Sequence, residues 1–101
     1  MKLVTLNVEL SAEATKLKVS AGLAKREIES GKIHNWTPVT ELVEVQDRME
    51  PTLSDCQGLI NKINGMVANG EVAGVVTRFS AYRHCSLKNN FIISALVKVK
   101  A

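Results

Sequence analysis

VAGVVTRFSAYRHCSLKNNFIISALVKV, residues 72–99, is where the chain declares a sheet. Val75, Thr77, Phe79 and Ala81 fall on one side of an extended chain, and Val76, Arg78, Ser80, Tyr82 and His84 on the other. That two-residue alternation is the signature of a strand with one buried face. A polar connection, His84 to Asn90, leads to a second alternating run. Phe91, Ile93, Ala95, Val97 and Val99 lie on one side of it, and Ile92, Ser94, Leu96, Lys98 and Lys100 on the other. If the two apolar faces must coincide, an antiparallel hairpin pairs Phe79 with Ala95 and Ala81 with Ile93. Arg78 then stands opposite Leu96, and Val76 opposite Lys98. A slip of one residue would turn Phe79 to solvent, so burial specifies the register.

Upstream, residues 3–10 alternate in the same way, with Val4, Leu6, Val8 and Leu10 on one side. Ser11 reads as an N-cap with Glu13 in the first turn, followed by the seam Ala14, Leu17, Ala21, Ala24, Ile28 at helical spacing. Ser30-Gly31 closes that helix, predicted over 12–30. Thr52 with Asp55 resembles a capping box. The seam Leu53, Cys56, Leu59, Ile60, Ile63, Met66, Val67 predicts a helix over 53–68, stopped by Asn69-Gly70.

Residues 36–50 admit two readings. Thr37-Pro38 resembles an N-cap with proline at the first helical position, and Val39, Leu42, Val43 and Met49 fit a helical face. With period two, Val39, Val43 and Val45 share a side and only Glu41 is out of place, and valine favours strands. The helical reading is preferred here, and segment 37–49 remains helix or strand. The expected architecture is an α+β domain over residues 1–101. It has a mostly antiparallel sheet, with strands near 3–10, 73–83 and 91–99, and helices 12–30 and 53–68 on one face. A ferredoxin-like arrangement is the alternative if residues 38–46 form a strand.

Composition bounds the function more than it names it. The 101 residues are 46% hydrophobic and 23% charged, the balance of a folded globular domain and not of a disordered chain. Met1 to Leu10 is cut by Asn7 and Glu9 and lacks the continuous apolar core of a signal peptide. The apolar run Phe91 to Val97 is too short to span a bilayer. With two cysteines and no sign of export, a reduced cytoplasmic setting is expected.

The net charge of +3 hides a segregation: residues 39–71 carry −4, residues 72–101 carry +5, and the first 38 carry +2. Such a separation sets what a surface attracts without naming a reaction.

No G-x-S-x-G, C-x-x-C, H-E-x-x-H or GxxxxGK string occurs, so no catalytic residue is proposed from the sequence and an enzyme is not expected. Cys56 lies on an apolar seam and reads as a buried small hydrophobe. Cys85, His84 and His34 lack the close spacing of metal ligands, so neither a metal nor a cofactor is expected.

The candidate surface is the reverse face of the final hairpin: Arg78, Tyr82, His84, Lys98 and Lys100, with Arg83 and Lys88 near the turn. Ile92 and Leu96 point to that same face, which makes 91–97 apolar on both sides. Large aliphatics on an open face mark an interface. The leading expectation is therefore a small non-enzymatic interaction protein that engages a protein partner or a second copy of itself. A nucleic-acid-binding module, with cations on phosphates and Tyr82 against a base, is the alternative. A small-ligand-binding protein or enzyme is the third, since a pocket between helix and sheet is invisible in sequence. Residues 36–49, Trp36 included, could also cover Ile92 and Leu96 within one chain.

Overall fold

A computed structural model describes residues 3–31, 36–46, 49–84 and 89–100. In chain order the elements are β1 (Leu3–Asn7), α1 (Ala12–Thr15), α2 (Ala21–Glu29) and β2 (Trp36–Glu44). A 3-10 turn (Leu53–Cys56) then leads into α3 (Gln57–Ala68), followed by β3 (Val72–Val75), β4 (Arg78–Arg83) and β5 (Asn90–Val99). All five strands form one antiparallel sheet in the order β1-β4-β5-β2, with β3 also pairing with β5. The α+β class and the antiparallel sheet are those read from the sequence.

The hairpin register holds where it was argued from burial. Ala81 pairs with Ile93, Ser80 with Ser94 and Tyr82 with Ile92. Beyond Thr77 it changes. Gly74, not Val76, stands opposite Lys98, and Val75 opposite Val97, so the predicted strand 73–83 is two strands with a shift between them. At the break, the Val76 N–H still donates to the Leu96 carbonyl at 3.0 Å.

Residues 36–44 are a strand, which overturns the preferred helical reading. Thr37, Val39, Thr40 and Val43 supply β-branched side chains, and Pro38 finds a tolerated place. The Val45 N–H donates to the Asn89 carbonyl at 2.7 Å. Alternate residues of an antiparallel strand face the partner, so Val43, Glu41 and Val39 turn their backbone groups to β5. Pro38 falls at an outward position, where its missing N–H costs the ladder nothing. The resulting order β-α-α-β-α-β-β-β differs from the β-α-β-β-α-β succession of a ferredoxin-like domain.

The predicted helix 12–30 is two helices. The Val19 N–H donates to the Val75 carbonyl at 2.8 Å and the Val75 N–H to the Leu17 carbonyl at 2.9 Å, so residues 17–19 run as an extended segment along the edge of β3. Ser20 then caps α2 afresh, its Oγ accepting from the Leu23 N–H at 3.1 Å. Ser11 caps α1, and its own N–H donates to Asn64 Oδ1 of α3 at 3.0 Å. Gly70 ends α3 with φ 75° in a Schellman closure: the Glu71 N–H donates to Met66 O and the Gly70 N–H to Val67 O, both at 3.0 Å.

The core lies between α3 and one face of the sheet. Leu59, Ile63 and Cys56 of the helical side are fully buried against Phe79, Ala81, Ile93 and Val97. α1 joins α3 on this side. α2 does not: it crosses to the reverse face, where Ala21 stands beside Val76, Ser94 and Leu96. The expectation of both helices on one face therefore holds for α1 and α3, and the extended stretch at 17–19 is what carries α2 to the other side.

Candidate interaction surface

The reverse face is ordered in rows that the register makes explicit. Leu3 pairs with Tyr82, Tyr82 with Ile92, and Ile92 with Leu42, so four apolar or aromatic side chains cross the sheet in one line. The next line is all hydroxyl: Thr5, Ser80, Ser94 and Thr40. Beyond it come Arg78 beside Asn7, and Leu96 beside Pro38. Side chains directly opposite on an antiparallel pair project from the same face, which is why each line is a surface feature and not a coincidence of spacing.

α2 covers only the far end of this face. A Cβ built on Gly74 would stand 3.2 Å from Val19 Cγ2, 3.3 Å from Lys98 Cβ and 3.4 Å from Trp36 Cη2, so the glycine is what lets the indole and the extended segment at 17–19 approach. Glu27 of α2 ties the group together. Its carboxylate accepts from Trp36 Nε1 at 2.7 Å and lies 3.5 Å from Lys98 Nζ. Trp36 therefore packs near Lys98, and β2 lies beside β5 in the sheet instead of over it. Segment 36–44 does not cover Ile92; it widens the apolar line by adding Leu42.

At the uncovered end, Leu3 is 62% exposed, Leu42 51% and Tyr82 36%, while Ile92 is half-buried between its neighbours. Leu96 is half-buried as well, at the mouth of a cleft beside α2.

The basic residues do not gather on this face. Arg83 points to the opposite side, its guanidinium 4.8 Å from the centroid of Phe91. Lys98 is engaged by Glu27, which belongs to the first third of the chain and not to the acidic middle. His84 follows β4, with its N–H donating to the Asn90 carbonyl at 2.8 Å. Lys100 lies past β5, its N–H donating to the Glu71 carbonyl at 2.9 Å. Lys88 and Cys85, and likewise His34, lie outside the described residues. Arg78 alone stands exposed on the reverse face, and among the described residues it has no ion pair.

Two residues that carry the surface, Leu3 and Leu42, were missed in the sequence. Leu3 could have been found from the parity of β1, because it lies on the other side from the half-buried Val4 and Leu6, which pack on the core. Leu42 was assigned to a helical face and emerges only when 36–44 is read with period two.

Cys56 is fully buried, as its place on the seam implied. Burial, reinforced by the nearby Asp55 and Glu41 carboxylates, holds its thiol above the ordinary value and thus protonated at neutral pH. Among the described residues no three His, Cys, Asp or Glu side chains converge as metal ligands, and no helix is long and apolar enough to cross a membrane. The chain matches no protein-family model, no curated protein and no solved structure.

Proposed function

We propose that this chain is a non-enzymatic interaction protein that docks a protein partner on the open face of its sheet, with a second copy of the chain as the simplest partner. The observation that carries this reading is the line Leu3–Tyr82–Ile92–Leu42, four strands wide and covered by none of the described elements. Burying a large aliphatic or aromatic side chain is worth about 1.5–3 kcal/mol, so such a line favours a flat apolar counterpart. A line of this kind is also self-complementary, as an isologous contact requires. The dispersal of Arg83, Lys98 and Lys100 offers a phosphate backbone no continuous track, and Arg78 is left to orient a partner, not to bind one alone.

Sedimentation velocity at micromolar concentration, run beside affinity capture from nuclease-treated lysate, tests the proposal. Self-association or capture of a defined protein is expected for the natural chain. Both should be lost in Ile92→Lys, with the thermal midpoint held within a few degrees. Should Ile92→Lys and Tyr82→Glu leave oligomeric state and capture unchanged, the open face is not an interface.

A further inference from the structure

We propose that the cleft between α2 and the open sheet face binds a small amphipathic carboxylate. The cleft has a volume of about 390 Å3, within the range of sites for small organic ligands. Its apolar walls are Val76 and Pro38 with Leu96, closed on one side by Ala21 of α2. Three hydroxyls, those of Thr5, Ser80 and Ser94, line it, and among the described residues none of them has a hydrogen-bond partner. Arg78, an exposed residue, completes the lining, and no carboxylate of the described residues neutralises its guanidinium.

This is the polarity that a ligand with one anionic end and an apolar body would match. A guanidinium presents a planar fork of donors that meets a carboxylate through two parallel hydrogen bonds. The serine and threonine hydroxyls rotate to donate to whichever oxygen the fork leaves free. A single cation matches a single negative charge, and the aliphatic walls give the rest of the molecule an apolar surface to lie against. A nucleotide fits poorly, since the cleft offers one cation for several phosphate charges and no aromatic face for a base. The third class of function considered from the sequence, a small-ligand-binding protein, thereby acquires a place in the fold.

The cleft begins in the line next to Tyr82 and Ile92 but is lined by none of the four residues of the docking line, so the site does not depend on the docking reading and can be tested apart from it. Decanoate, titrated below its micelle concentration into isotopically labelled protein, is the probe, with decanol and acetate as controls for the apolar body and for the charge. Saturable shifts confined to the amides of Ser80, Ser94 and Leu96 are expected, with decanoate bound more tightly than either control. Arg78→Gln should weaken decanoate by about tenfold or more and bring it level with decanol, because a charge-assisted pair is lost. Ala21→Leu, on the exposed side of a helix that tolerates leucine, should fill the cleft and abolish the shifts. Ile92→Lys should leave them in place.

Shifts that scatter over the molecule, that centre on Tyr82 and Ile92, or that keep their affinity in Arg78→Gln would overturn the proposal. The docking reading would be untouched by any of the three.

Discussion

Gly74 and Gly58 show how one missing methyl positions a surface and how another leaves room for a charge. At Gly74 the space is taken by Val19, the Lys98 stem and the Trp36 ring, all half-buried. Gly74→Ala should therefore cost about 1–3 kcal/mol, the range for overfilling a packed site. Denaturation followed by the fluorescence of Trp36, the only tryptophan, will report both the loss and the displaced ring. At Gly58 a Cβ would stand 2.6 Å from Glu41 Oε1, the free end of a flexible side chain that can swing aside. Alanine also favours a helix over glycine by about 1 kcal/mol. Gly58→Ala should be close to neutral in the natural chain and stabilising by about 0.5–1 kcal/mol when Glu41→Ala is already present. A double-mutant cycle measures that coupling.

Cys56 ties the same corner to pH. Its folded pKa is raised above the unfolded value, so its contribution to stability is complete below the ordinary thiol pKa. That contribution falls as pH climbs toward the folded pKa, because the unfolded chain gains a thiolate that the native one resists. Urea midpoints from neutral to alkaline pH should show this decline, and Cys56→Ala should flatten it.

At the scale of elements, burial made some structure legible and local chemistry disguised the rest. The β4–β5 register could be read because Phe79, Ala81 and Ile93 each needed one particular face. Helix α3 could be read from its seam and its two terminal signals, Thr52 and Gly70. There the Asp55 carboxylate accepts from the Thr52 N–H at 2.7 Å. Helix 12–30 misled because its alanine-rich seam is compatible with one continuous helix. Only the backbone bonds of Leu17 and Val19 to Val75, a contact remote in sequence, interrupt it. Segment 36–44 misled because Pro38 is equally at home at a helix start and on a sheet edge.

The candidate face was half legible. The alternation of β5 gave Ile92 and Leu96, whereas Leu42 waited on β2 and the cleft on the crossing of α2. The break in the first helix makes a prediction with a sign. In a continuous helix Ser20→Ala would stabilise, since alanine is the better helix former. Here Ser20 Oγ caps α2, so the substitution should cost about 1 kcal/mol in a denaturant titration.

For the whole molecule, the pairing scheme places β5 at the centre and both termini of the sheet order in strands that come early in the chain. β5 is bonded along Asn90–Lys98 to β2 on one side. On the other side it is bonded to β4 and then β3. β4 is likewise flanked on both sides, by β1 and β5, but β5 has three partner strands, and its inward residues Ile93, Ala95 and Val97 are buried under the helical layer. Among the described residues β1 and β2 each pair on one side only, and the outward backbone groups of Thr40 and Leu42 meet no neighbouring strand. Local opening costs least where few buried contacts must be broken, so the molecule should unfold from its edges inward. Amide hydrogen exchange is then expected to be slowest across Ile93–Val97, intermediate in β4 and fastest in β1 and the outward positions of β2. Exchange in β1 as slow as in β5 would mean that the edge is covered by a partner in solution, and dilution would then release it. Exchange in Ile93–Val97 as fast as in β1 would contradict the central placement of β5 itself.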